Sequence, residues 1–207
     1  MYLYLDLTPP ASLSGNVFGL NNDEWGYGWD DPLGGVTVTI IDQVTGKAEG
    51  SATTDSLGDF TVHNLYGGAV KLVFSKSGWL TTTQRFTVQE GSPNYLPHQV
   101  VMYSKPAIRG QVLANFDPIG YATVTVYDAH TGKALKSVVT DGDGNYRVDG
   151  LPVARIKVRA SKSGWLPSWA NDKHRWSEAD IFPLMPGNTL SQDWNPMVLY
   201  LDLGLMS

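Results

Sequence analysis

The sequence predicts an all-β protein: two tandem β-sandwiches preceded by a short strand arm. Three observations carry that expectation. Two long stretches repeat one another, each repeat alternates apolar and polar residues at period two, and nearly the same seven-residue strand stands near both ends. Composition agrees, since 22 Gly, 12 Pro, 10 Tyr and 7 Trp suit strands joined by many turns.

The repeat comes first because it organises everything else. Thr37–Ala48 (TVTIIDQVTGKA) lies over Thr123–Ala134 (TVTVYDAHTGKA) at an offset of 86, and SKSGWL recurs at Ser75 and Ser161 at the same offset. From Gly35 to Leu80, 21 of 46 positions are identical to their partners. The predicted organisation is an arm over residues 1–10, a first sandwich over 11–105 and a second over 106–207.

In chain order, Met1–Leu7 (MYLYLDL) alternates Leu3, Leu5 and Leu7 against Tyr2 and Tyr4, a strand pattern. Leu13–Gly19 (LSGNVFG) aligns with Ile108–Ala114 (IRGQVLA) only if the first copy carries nine extra residues, within Asn21–Asp30. Each copy then runs through a Thr-Gly hairpin, a second turn (Asp55–Asp59 or Asp141–Asn145) and a strand ending in SKSGWL. The Asp141 turn resembles the start of a calcium loop, but no glutamate closes it twelve positions on, so a β-turn is expected. Trp79 and Trp165 are expected to pack at the core or at strand ends. The second copy is longer after SKSGWL, and Trp176–Asp180 is the one place where a helical turn is expected.

The spacing of a strand with a central glycine, VTVxxxDxxTGK, TDxxGx[FY]xVxxL and a strand ending SxxGW resembles the carboxypeptidase regulatory-like domain, also described as prealbumin-like or CNA-B-like. The resemblance covers both copies. It implies Ig-like, prealbumin-like sandwiches of seven or eight strands that serve as spacers, stalks and accessory modules on secreted or surface proteins. Some CNA-B-like domains form an internal Lys–Asn bond. Here Ser14 and Arg109 occupy the early strand where the reacting lysine belongs, so that bond is not expected.

Net charge is −5, with no run of Lys or Arg, which argues against nucleic acid as a partner. No stretch is apolar for long enough to span a membrane, and no signal peptide is visible. Cysteine is absent, which excludes disulfides and thiol chemistry. The four histidines are scattered, and no nucleophile or phosphate-loop motif occurs. The expectation is a protein that is not an enzyme and carries no cofactor.

Candidate contact residues lie in the arm and the insertions. Trp25, Tyr27 and Trp29 alternate, so in an extended loop they share one face and suit packing back on the sandwich, a subunit interface or a sugar. Asp23, Glu24, Asp30 and Asp31 beside them could hold calcium. In the second insertion Trp169 and Trp176 are candidates for sugar stacking.

Met197–Leu203 (MVLYLDL) matches Met1–Leu7 at six of seven positions. It reads as the closing strand of the second sandwich, and Met1–Leu7 reads as the closing strand of a sandwich that precedes the first. Such a strand belongs to a longer array, folds onto its own domain, or joins a neighbour by strand addition. Burying each leucine is worth about 1.5–3 kcal/mol. With ladder hydrogen bonds, this roughly offsets ordering the backbone at about 1–2 kcal/mol per residue. A stable joint therefore also needs Tyr2, Tyr4 and the aromatic loops. The reading is a structural subunit of an extracellular or cell-surface filament, made of copies of itself joined head-to-tail through Tyr2, Leu3, Tyr4, Leu5 and Leu7 with Trp25, Tyr27 and Trp29. Alternatives are a glycan-binding accessory module of a secreted enzyme or adhesin, and a viral surface or tail protein.

Overall fold

The computed structural model describes residues 9–20 and 31–190 in full, and the backbone alone of Asp30 and Leu199–Tyr200. Among these residues every regular element is a strand, and the chain divides into two compact units between Ser104 and Lys105.

The first unit contains β1 (Ala11–Leu20), β2 (Asp30–Pro32), β3 (Thr37–Asp42), β4 (Ala48–Thr53), β5 (Asp59–Leu65), β6 (Gly68–Ser75), β7 (Thr82–Val88), β8 (Pro93–Tyr95) and β9 (Val100–Tyr103). In one sheet β1 is central: β5 and β8 flank its first half, and β2 and β9 its second. The other sheet runs β4-β3-β6-β7, all antiparallel. Alternate residues of both sheets meet inside, with Leu13, Val17, Val38, Ile40, Leu72 and Phe74 fully buried. The period-two pattern of the sequence is thus the inside-outside alternation of two packed sheets.

The second unit repeats the plan with β10 (Ala107–Ala114), β11 (Asp117–Pro118), β12 (Thr123–Asp128), β13 (Ala134–Val139), β14 (Asn145–Val148), β15 (Arg155–Ser161), β16 (Ser168–Trp169), β17 (Phe182–Pro183), β18 (Thr189–Leu190) and β19 (Leu199–Tyr200). Registers carry over as well: Thr37 faces Ser75 in the first unit, and Thr123 faces Ser161 in the second.

The repeated motifs hold the turns. Asp42 Oδ1 accepts hydrogen bonds from the backbone N–H groups of Val44 and Thr45, and Asp128 does the same for His130 and Thr131. These donors, Thr45 and Thr131 foremost, hold both carboxyls below their ordinary range. The buried hydroxyls of Thr54 and Thr140 donate to the carbonyls of Leu33 and Ile119 and accept from the N–H groups of Val36 and Ala122. Asp141 closes its own turn by accepting from Asp143 and Asn145, the β-turn role. The fourth residue of each turn, Asp55–Asp59 and Asp141–Asn145, must be glycine. Gly58 and Gly144 have φ of +78° and +75°, and a Cβ would fall 2.3 Å from the Val17 carbonyl oxygen and 2.6 Å from that of Val112. Trp79 bridges to Ser104 and packs on the first core, and Trp165 packs on the second.

Candidate interaction surfaces

The two units part company at one sheet edge. In the first, β7 pairs with β6 over seven positions, from Phe74–Thr82 to Gly68–Val88. In the second, the matching edge is broken. Ser168 and Trp169 pair with Ala160 and Arg159, the chain departs over residues 170–181, and Phe182 and Pro183 resume against Ile156 and Arg155. The departing segment stands where the first unit has only Gln84 and Arg85. Pro183 falls at the position of Thr87 and brings no N–H to the edge.

The excursion folds back over the outer face of its sheet. Trp169 and Lys173 exchange backbone hydrogen bonds of 2.7 and 3.2 Å, Ala170 N donates to Val158 O, and Asn171 and Asp172 take left-handed φ values that their residue types tolerate. Glu178 and Ala179 N–H groups both donate to Arg175 O, a single turn where a helical turn was expected.

An aromatic cluster with a cation lies beneath. The rings of Tyr127, Trp169 and Trp176 meet at 5.1–6.1 Å between centroids, mostly edge to face. Lys157, 5% exposed, places its ammonium 4.3 Å from the Trp176 ring centroid and donates a 2.5 Å hydrogen bond to the Trp176 carbonyl. Arg159 lies over Trp169 at 5.7 Å. The matching first-unit residues, Lys71 and Val73, carry no such cover, and Lys71 is exposed. The excursion has turned an ordinary outward lysine into an anchor.

A second feature is shared. β9 runs parallel to β1, with Val17 opposite Val100 and Leu20 opposite Tyr103, and β19 runs parallel to β10, with Val112 opposite Leu199 and Leu113 opposite Tyr200. Leu199 and Tyr200, which belong to MVLYLDL, thus pair within their own sandwich.

The family profile of the carboxypeptidase regulatory-like domain matches residues 29–102 and again 107–177. The chain belongs to that family. Serine-aspartate repeat-containing protein D of Staphylococcus aureus is 25% identical over 206 aligned positions, covering 75% of this chain and 16% of the relative. The chain thus spans about a sixth of that relative's length. Among solved structures, a streptococcal ancillary pilin superposes with a TM-score of 0.50 at 14% identity, covering 96% of this chain and 63% of the other. The shaft pilin SpaA from Lactobacillus rhamnosus GG gives 0.49 at 12% identity, covering 95% and 98%. The likeness to the ancillary pilin is one of fold.

Within the two carboxypeptidase regulatory-like domains, the candidate residues fall as follows. Tyr2, Leu3, Tyr4, Leu5 and Leu7 lie outside the described residues, as do Trp25, Tyr27, Trp29, Asp23 and Glu24. Asp31 is exposed on β2, opposite Gly19, and Asp30 is described only in its backbone. Trp169 is 8% exposed inside the cluster, while Trp176 keeps 37% of its surface open. Lys157, Arg159 and Tyr127 were not among the candidates. Their signal in the sequence was faint, a Tyr and an Arg where the first copy has Ile41 and Val73. Among the described residues, no group of three or more His, Asp or Glu side chains could hold a metal ion, and no helix is long and apolar enough to cross a membrane.

Proposed function

We propose that the chain is a structural, non-enzymatic part of an extracellular or cell-surface filament, in which the Met1–Leu7 strand of one copy enters a β-sheet of the next. One observation carries the reading. Leu199–Tyr200 lies in a sheet as a closing strand, and Met1–Leu7 repeats that strand at six of seven positions. A sequence written for a sheet, with leucines on one face, finds its stability by pairing there. A contact from one end of a copy to the body of another is heterologous, and such contacts build filaments when their rotation does not close. The same fold in a streptococcal ancillary pilin accords with this use.

The test is assembly itself. The full chain should form fibres visible by negative-stain microscopy, and the chain lacking residues 1–7 should sediment as a folded monomer. Equal assembly of both forms would remove the arm from the account. A second reading, glycan binding, is favoured by the open part of Trp176, whose ring packs edge to face on Trp169. Its test is a glycan array repeated with Trp176→Ala, where sugar binding lost in the variant would favour it.

A further inference from the structure

The second sandwich shuts its β15-side edge with an excursion and a proline; the first has neither device at the matching strand, β7. Among the described residues no strand pairs with the outer side of β7. We infer that this edge, Thr82–Val88, receives Met1–Leu7 of a second copy, antiparallel, with Leu5 opposite Phe86. The inference rests on the proposed function, of which it names the receiving surface.

In this register Leu3–Leu7 face Gln84–Val88, five of the seven positions of β7. On β7, Thr83, Arg85 and Thr87 are exposed, whereas Gln84 and Phe86 are half-buried and Val88 is buried on the core side. Phe86 packs against the core with part of its ring still open. With Leu5 opposite Phe86, the other leucines follow: Leu7 faces Gln84 and Leu3 faces Val88. All three leucines then lie on the core side, and the open part of Phe86 is covered. On the outer side Tyr4 meets Thr87 and Asp6 meets Arg85, so the arm's one charge sits opposite the one charge of the edge strand. A slip by one residue turns the leucines outward and separates the charges.

Direction decides which copy supplies the arm. Ala11 starts β1 at the Val88 end of the sandwich: the Asn94 side chain links Ser12 O to Gln89, just past β7. Only Thr8, Pro9 and Pro10 separate Leu7 from Ala11, a reach of about 14 Å at most. Gln84 lies roughly 13 Å up the strand from Val88, so a chain's own Leu7 would have to span nearly all of that reach along the strand and cross between the sheets as well. On its own β7 the arm could lie only parallel, with Leu7 near Val88. The antiparallel register therefore belongs to a second copy. Each copy then gives one strand from its arm and takes one at β7, which is the arithmetic of a linear polymer.

The chain has no cysteine, so introduced pairs report cleanly. Directly opposed residues of antiparallel strands stand about 4.5–5.5 Å apart between Cα atoms, within disulfide range. Under mild oxidation, the full chain carrying Tyr4→Cys and Thr87→Cys should give a ladder of disulfide-linked multimers on a non-reducing gel. Tyr2→Cys with Thr83→Cys, the pair that a parallel arm on its own β7 would join, should stay unlinked. In addition, Arg85→Glu should raise the concentration needed for assembly about two- to five-fold, and adding Asp6→Arg should restore it. An intramolecular bond in the Tyr2/Thr83 pair would place the arm on its own sandwich and overturn the inference. A Tyr4/Thr87 variant that polymerises without linking would move the acceptor elsewhere and leave the proposed function standing. A wild-type chain that forms no polymer would overturn both.

Discussion

β7 and the β16–β17 pair occupy the same place beside the same neighbouring strand, yet one is a continuous seven-residue edge and the other is interrupted and covered. An edge strand presents unpaired N–H and C=O groups, and proteins blunt such edges with proline, loops or irregularity. The second domain uses two of these devices, Pro183 and the excursion over residues 170–181, and ties the excursion down through Lys157 and Trp169. The first domain has only Arg85 on the outer side of its edge. The same scaffold thus carries this edge once interrupted and covered and once continuous, and the continuous one, unpaired among the described residues, is the place to look for pairing.

The comparison can be broken most forcefully at Trp169. Trp169→Ala should lower the stability of the second domain by about 3–5 kcal/mol in calorimetry, since a buried indole and the excursion's anchor go together. The matching Thr83→Ala should shift the first by no more than about 0.5 kcal/mol. Similar losses in both would show that the excursion is not held by its aromatic cluster. A smaller effect is expected at the buried cation. Lys157→Met should cost the second domain about 1–3 kcal/mol through the lost charge-assisted bond to the Trp176 carbonyl, while Lys71→Met should be near neutral.

Tyr146 sharpens the comparison with the opposite sign. It stands where the first domain has Phe60, and its hydroxyl is buried with no hydrogen-bond partner. Tyr146→Phe should stabilise the second domain by about 1 kcal/mol. Burial raises the Tyr146 pKa above its ordinary 10.0. The folded domain then holds this proton more tightly than the unfolded chain, so stability falls as pH rises past 10.0, and the phenylalanine variant should lose that part of the slope. The smallest effect is expected at Glu49, which has no counterpart in the second domain, where Leu135 stands. Burial, with Asp42 beside it, raises the Glu49 pKa above 4.5. Its contribution is therefore present at low pH and lost as pH rises through that range. Glu49→Gln should slightly raise the first domain's melting temperature at neutral pH and leave it unchanged in acid.

Much of the fold was legible because local chemistry repeated itself. The alternation in TVTIID and TVTVYD, the Asp–Thr–Gly turns and the buried Thr54 and Thr140 each act within a few residues or across one turn, and an offset of 86 exposed them twice. The excursion was legible as an insertion but not as a lid on its own sheet. Lys157 sits at an outward position of an alternating strand, and nothing local distinguishes it from Lys71. Its burial is produced by Trp169 and Trp176, which are distant in sequence, and by a strand that breaks after Trp169 rather than continuing as β7 does. The edge difference likewise needed the pairing registers, since SKSGWL is identical in both copies and the divergence begins just after it.

The edge of the first domain should take the arm, and the covered edge of the second should not. Hydrogen exchange on the chain lacking residues 1–7, with and without a synthetic MYLYLDL peptide, separates the two. The peptide should slow exchange at outward-facing amides of Thr82–Val88 and leave residues 168–183 unchanged. Protection at 168–183, or none at β7 under saturating peptide, would contradict this.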